Sequence, residues 1–144
     1  MGKTTMGETE KKPLLIVDDD AINRAILANI FEEDYAIWEA ENGEEGWELA
    51  RAREEELSAV LLDVVMPKMD GLEVLRRLSQ SGYMERVPVF LITADDSGAT
   101  MQTAYSLGVM DVISKPVVPY IVRRRVESVV ELFAARRRLS AQVE

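Results

Sequence analysis

The stretch Ala59-Val60-Leu61-Leu62-Asp63-Val64-Val65-Met66-Pro67-Lys68-Met69-Asp70-Gly71 decides how the chain is read. Ala59 to Leu62 is an apolar run too short for a helix and of the kind that is buried on both faces of a sheet. The run ends in one carboxylate, Asp63; Met66-Pro67 then turns the chain and Asp70-Gly71 opens a helix. Asp63 is therefore placed at the carboxyl end of a buried strand, where open α/β sheets gather their chemistry. Standing alone, such a charge is no more than a solvated strand terminus.

Working upstream, Leu14 to Val17 forms a first apolar strand behind Pro13 and ends in Asp18-Asp19-Asp20. Ile22, Ile26 and Ile30 recur at helical spacing, with Ala25 and Phe31 widening the stripe, which predicts a helix to about Glu33 capped by Asp20. Tyr35 to Ala40 reads as a second strand and Glu41-Asn42-Gly43 as a turn. Gly43 to about Glu55 reads as a helix, with Trp47 and Ala50 inward and Glu44, Glu45, Glu48 and Glu54 outward.

Downstream, Gly71 to Gln80 carries Val74, Leu75 and Leu78 on one face, and Ser81-Gly82 closes that helix. Val87 to Ile92 is a fourth strand running into Thr93-Ala94-Asp95-Asp96. The following helix, Ser97 to Leu107, has the weakest pattern: Met101, Ala104 and Tyr105 face inward and Gly98 lowers its propensity. Val109 to Ser114 is a fifth strand ending in Lys115-Pro116. A last helix starts near Pro119, with Val122, Val126, Val129, Val130 and Phe133 on one stripe.

Five strands alternating with five helices imply parallel strands joined by right-handed crossovers. The expected architecture is a doubly wound (βα)5 three-layer sandwich of the flavodoxin-like kind, with strand order 2-1-3-4-5. That order brings Asp18, Asp19, Asp63, Thr93 and Lys115 to one rim. Each has a structural explanation by itself, as turn, cap or surface charge; their convergence on one rim points to a site.

The composition limits what the site can do. At 144 residues, 47% apolar and 30% charged, the chain has the length and balance of one globular domain. It has no cysteine and no histidine, which excludes a thiol nucleophile, an imidazole base and the usual zinc ligands. No apolar run reaches membrane-span length and the first residues lack the apolar middle of a signal peptide, so a cytoplasmic location is expected. The net charge of −9 argues against nucleic acid binding by this domain. Residues 115–144 nevertheless hold seven Lys and Arg against three Glu, which makes the last helix the basic element of an acidic chain.

Two carboxylates about 4 Å apart repel by roughly 4 kcal/mol at an effective dielectric near 20, so three clustered acids need a cation. Lys115 supplies one. Oxygen ligands without imidazole or thiolate suit a hard divalent ion, and a few carboxylates with room for water suit Mg²⁺. Asp63 then reads as a nucleophile toward a phosphoryl group held by the ion, Lys115 and the Thr93 hydroxyl.

In combination, Ile16-Val17-Asp18-Asp19-Asp20, Asp63 with Met66-Pro67 and Asp70-Gly71, Thr93-Ala94 and Lys115-Pro116 resemble the receiver domain of a bacterial two-component response regulator. The resemblance runs from about Leu14 to Phe133. It implies that Asp63 is phosphorylated by a sensor histidine kinase or phosphotransfer protein and that the domain is no enzyme in the ordinary sense. It implies Mg²⁺ bound directly by Asp19, Asp63 and the Val65 carbonyl, with Asp18 acting through water. Thr93, Ala94 and Lys115 correspond to phosphoryl-binding and switch positions, and the bond before Pro116 to a cis peptide. Val65 and Asp95 correspond to positions that tune access of hydrolytic water.

The departure from the family pattern is Val112, which stands where many receivers carry a switching Tyr or Phe. Output is then expected through the loop after Thr93 and the face of the fourth helix, fifth strand and fifth helix, a face that also suits a homodimer. Residues 1–12 read as a disordered leader, 13–133 as the receiver domain, and 134–144 as an extension of the last helix. That extension is either a linker to a C-terminal output domain or the tail of a stand-alone receiver, and alone it is too short for three coiled-coil heptads. The competing reading is a Mg²⁺-dependent phosphatase of the haloacid-dehalogenase type, with Asp18 as nucleophile in Asp18-x-Asp20. There the order fails, because Asp95-Asp96 precede Lys115 and Asp63 has no role.

Overall fold

The computed structural model describes residues 10–95 and 97–143. Five strands, β1 (Pro13–Val17), β2 (Ala36–Ala40), β3 (Ala59–Leu62), β4 (Val89–Thr93) and β5 (Asp111–Ser114), form one parallel sheet in the order β2-β1-β3-β4-β5. Alternating with them are α1 (Ala21–Phe31), α2 (Gly43–Ala52), α3 (Gly71–Ser79), α4 (Gly98–Ser106) and α5 (Pro119–Val143), with a 3₁₀ turn at Tyr83–Glu85. The doubly wound architecture and strand order are those the alternation implied.

Period-two alternation sorts each strand between two apolar layers. Leu14, Ile16, Leu61, Phe90, Ile92 and Ile113 pack under α1 and α5, while Leu15, Val17, Val60, Leu62, Leu91 and Val112 pack under α2, α3 and α4. Burial on both faces is what makes the central strands nearly continuous in Val, Ile and Leu. Register does the rest: Val17 pairs with Ala40 on one side and Leu62 on the other, and Thr93 pairs with Ser114. The residues that follow the strands therefore emerge level with one another.

Helix starts follow their capping residues. Asp20 Oδ1 accepts the Ile22 N–H at 2.8 Å, Asn42 Oδ1 that of Glu45 at 2.8 Å, and Asp70 Oδ1 that of Glu73 at 2.9 Å. Gly71 is required at its place for a second reason. Its N–H donates to the Val64 carbonyl at 2.8 Å, and a Cβ there would overlap the Asp63 carbonyl. The helix is thus pressed directly beneath the loop that carries Asp63.

Two expectations are corrected. The inward face of α1 is Leu27, Ile30 and Phe31; Ile22 and Ile26 are 71% and 43% exposed. Ile30 keeps the four-residue spacing and meets the sheet, whereas Ile22 and Ile26, nearer the start of the helix, remain exposed. In α4 the buried residues are Thr100 and Ala104, and Tyr105 is largely exposed. Near the N-terminus, the Lys12 carbonyl accepts the Ala36 N–H at 3.0 Å and Lys11 Nζ donates to the Glu32 carbonyl at 3.0 Å. Residues 1–9, which hold most of the expected leader, and Asp96 lie outside the described residues.

Gly71→Ala should lower stability by about 2 kcal/mol, since a methyl group pressed against backbone cannot be relieved by a rotamer change. Thermal unfolding followed by circular dichroism would show this as a fall in Tm, and an unchanged Tm would contradict the close approach.

Candidate functional site

The rim at the carboxyl ends of β1, β3, β4 and β5 brings together Asp18, Asp19, Asp63, Thr93 and Lys115, as the topology requires. Asp18 and Asp63 are buried, Thr93 is fully buried, and Asp19 is exposed. Carboxylate oxygens of Asp18, Asp19 and Asp63 lie within 4.8 Å of one another. Lys115 Nζ bridges two of the three, donating to Asp18 Oδ2 at 2.8 Å and Asp63 Oδ2 at 3.2 Å.

The backbone holds these side chains firmly. Asp18 N–H donates to the Ala40 carbonyl at 3.1 Å and Asp63 N–H to that of Val17 at 2.9 Å, so both acids are fastened to the sheet at their own peptide units. Asp18 Oδ1 accepts the Asp20 N–H at 2.9 Å, and Asp63 Oδ1 accepts the Val64 N–H at 2.8 Å. Both oxygens of Asp18 are therefore committed, one to the turn and one to Lys115. Arg24 adds a contact that sequence reading missed, donating from Nη1 to the Asp18 carbonyl at 2.7 Å while its Nε pairs with Glu39 at 2.8 Å. Nothing in the helical spacing of α1 distinguishes that arginine from an ordinary surface charge.

Beyond Asp63, Val65 is 67% exposed at the mouth of the site. Lys68 takes a left-handed backbone with φ of 70°, uncommon for a residue with a side chain, and this lets the Met66-Pro67 turn bring Met69 back to the Pro67 carbonyl at 2.8 Å. On the opposite side, Lys115 N–H donates to the Thr93 carbonyl at 2.9 Å, and the Lys115–Pro116 peptide is cis.

The electrostatics are those of acids short of compensation. Burial raises the Asp63 pKa, Lys115 opposes that rise, and the Asp18 charge adds to it, for a net increase. Burial works against the Lys115 charge too, but the hydrogen bond to Asp18 and the charges of Asp63 and Asp18 outweigh it and raise the lysine pKa. The ammonium stays charged while the acids remain in excess.

A polar chain leaves the site toward α4. Thr93 Oγ1 accepts the Asp95 N–H at 3.0 Å; Asp95 Oδ2 accepts the Thr100 hydroxyl at 2.9 Å and Oδ1 the Ser97 N–H at 3.3 Å. The Asp95 pKa is lowered, first by the Thr100 bond and then by Ser97. At the far end of α4, the Val112 N–H donates to Tyr105 Oη at 3.2 Å, and Asp111 holds Arg125 at 2.7 Å. Val112 itself is buried in the sheet layer. Thr100 was not singled out in the sequence, because a threonine in a first turn carries no signal of its own, and Tyr105 was expected in the core rather than at the edge of β5.

Residues 14–127 match the family of response regulator receiver domains. This chain belongs to that family. Among curated relatives, it is 36% identical over 124 residues to the transcriptional regulatory protein ResD of Bacillus subtilis, covering 85% of this chain and 50% of ResD. It is 32% identical over 120 residues to a chemotaxis protein CheY homolog of Campylobacter jejuni, covering 81% of this chain and 90% of the homolog. The receiver thus spans half the length of ResD and nearly all of the CheY homolog.

Among solved structures, a CheY-like receiver domain protein from Methanospirillum hungatei superposes with a TM-score of 0.78 at 25% identity, covering 88% of this chain and 99% of that one. CheY in a CheX-CheY-BeF3-Mg complex from Borrelia burgdorferi gives 0.76 at 30% identity, covering 82% and 88%. Among the described residues of the receiver, no helix is long and apolar enough to cross a membrane.

An acid whose pKa is higher folded than unfolded makes stability fall as pH rises from the ordinary carboxylate value through the raised one, and the full cost is present above it. Asp63→Asn should therefore raise Tm at pH 7 without divalent ions, by about 3 °C, and flatten that part of the pH profile. A lower Tm in scanning calorimetry would mean that the Lys115 contact outweighs the burial of charge.

Proposed function

We propose that Asp63 accepts a phosphoryl group from a sensor histidine kinase or phosphotransfer protein in a Mg²⁺-dependent step within the cytoplasm. The observation that carries this reading is the meeting of three carboxylates and one ammonium, from strand ends far apart in sequence, in a receiver without histidine or cysteine. The donor set fits the ion: oxygens alone, one acid exposed and two buried, suit a hard cation that keeps some water. Asp19, Asp63 and the Val65 carbonyl are its direct ligands in this proposal, with Asp18 acting through water. When bound, Mg²⁺ supplies charge neutralisation for the phosphoryl oxygens.

The protein's own groups do the remainder. An Asp63 oxygen forms the bond to phosphorus while the bond from phosphorus to the donor's imidazole nitrogen breaks, and that nitrogen keeps the electron pair. Lys115, already beside Asp63, shifts its ammonium onto a phosphoryl oxygen. Thr93 accepts the Asp95 N–H and so retains its single proton to donate to another, with Ala94 beside it. Val65, exposed at the mouth, and Asp95 govern how hydrolytic water reaches the acyl phosphate.

With Val112 in place of an aromatic ring, the Asp95–Thr100 contact is the route by which a change at Thr93 reaches α4. That helix buries a threonine and an alanine, so polar contacts at its two ends contribute a large part of its hold on the domain. The face of α4, β5 and α5 is then the output surface. Residues 13–133 act as the receiver, and residues 134–144 lead toward an output domain or partner.

Incubation with Mg²⁺ and a small acyl phosphate should add one phosphoryl mass to the wild-type chain and none to Asp63→Asn, read as intact mass. Asp18→Asn should still form the adduct, more slowly. Steady phosphate release that requires Asp18 and survives Asp63→Asn would overturn the reading in favour of a haloacid-dehalogenase-type phosphatase.

A further inference from the structure

Asp19 is the exposed member of the acidic cluster. Asp18 is committed through both oxygens, and Asp63 is held by the Val64 N–H and Lys115. Among the described residues, none donates a hydrogen bond to the Asp19 carboxylate. Its placement therefore depends on the backbone on either side of it, and one residue of α1 holds both flanking carbonyls. Arg24 donates from Nη1 to the Asp18 carbonyl at 2.7 Å and from its backbone N–H to the Asp20 carbonyl at 3.0 Å. The second bond belongs to the first turn of the helix, and almost any residue at this position would make it. The first needs this side chain, which is 15% exposed. Glu39 keeps it in place. That acid stands on edge strand β2 opposite Ile16, on the sheet face that α1 covers, and its Oε1 accepts Arg24 Nε at 2.8 Å. The guanidinium is planar, so a carboxylate fixed at Nε also fixes the direction in which Nη1 points.

We propose that Arg24 is a positioning residue for the divalent cation: by holding the peptide between Asp18 and Asp19 it aims the Asp19 carboxylate, and Glu39 acts through Arg24. The inference rests on the proposed Mg²⁺-dependent phosphorylation of Asp63. Two observations favour positioning over an ordinary surface ion pair. An exposed pair contributes little, whereas this guanidinium is largely shielded and also bonds to the peptide that joins two acids of the cluster. It meets a carbonyl and not a carboxylate, so it steadies the acidic loop without occupying a carboxylate oxygen that an ion would use. Lys115 differs in this respect, because its ammonium sits on carboxylate oxygens of Asp18 and Asp63. Charge and geometry also act in opposite directions at Arg24. A cation beside the pocket disfavours a second one, so its deletion would tighten Mg²⁺ binding if charge alone counted. Loss of the support behind a ligand weakens binding instead.

Mg²⁺ titration of the unphosphorylated chain at fixed ionic strength, followed by amide chemical shifts in NMR spectra, reads the affinity without any phosphoryl transfer. Arg24→Ala should raise the Kd for Mg²⁺ by about tenfold, with circular dichroism reporting that the domain stays folded. Glu39 offers a second test that leaves Arg24 in place. Glu39→Ala should weaken binding more than Glu39→Gln, since both lose the same charge but the amide keeps an oxygen for Nε. Added to Arg24→Ala, the two Glu39 changes should no longer differ, because the guanidinium through which they act is gone. A folded Arg24→Ala that binds Mg²⁺ as tightly as the wild type, or more tightly, overturns the proposal. Equal Kd values for Glu39→Ala and Glu39→Gln with Arg24 present do the same. Asp19→Asn separates this failure from that of the ion site itself. A wild type that binds no Mg²⁺, or an Asp19→Asn that binds it as the wild type does, overturns the proposed role of Asp19 as a ligand together with this inference.

Discussion

Asp18 and Asp63 place two carboxylates at the rim of a parallel sheet, largely withdrawn from water, and a single ammonium from Lys115 reaches both at 2.8 and 3.2 Å. Burying charge is costly unless it is paired, and one cation for three nearby acids leaves the pocket electrostatically incomplete. The rest of the fold serves this arrangement. Lys115 is 97 residues from Asp18 and 52 from Asp63, so the contact exists only when β1 lies between β2 and β3 and β5 closes the far edge. An error in strand order would strand two buried acids without a counter-charge.

That requirement explains how the surrounding structure divides its rigidity. The acids are fixed at their peptide units by sheet hydrogen bonds, and the Asp63 loop rests on α3 at a glycine where no side chain fits. The opposite side of the site is held differently. From Thr93 outward the contacts are single hydrogen bonds through Asp95 to Thr100, and α4 adds little apolar burial to them. Hydrogen bonds to a carboxylate that water also reaches contribute little net stability. The acids are thus tied into the sheet, whereas the helix beside them meets the site through side-chain hydrogen bonds.

How far the sequence could be read depended on whether a local pattern had one tertiary solution. Alternating strands and helices imply a doubly wound sheet, five strands suit the order 2-1-3-4-5 of its common orders, and the rim of polar strand ends followed from that order. The stripe on α1 did not. Ile22 and Ile26 match the helical period as well as Leu27, Ile30 and Phe31 do, and the period alone does not say which side meets the sheet. Tyr105 looked like a core residue of α4, whereas its ring lies outside and its hydroxyl returns to cover the edge of β5 at Val112. Arg24 and Thr100 carried no pattern, because each acts through one hydrogen bond to a partner defined by the fold.

By itself, the sequence determined the class of architecture, the strand order and the identity of the acids, the hydroxyl and the lysine that share a rim, since apolar periodicity and turn chemistry are local properties that sum to one topology. Only the tertiary structure decided which side of each helix is buried, that Lys115 bridges Asp18 and Asp63, and that Asp95 joins Thr93 to α4. It also decided that Leu132 and Leu139 of α5 face outward. Those facts depend on packing angles and side-chain reach across the sheet, quantities that arise when distant segments meet and have no counterpart in the spacing of residues along the chain.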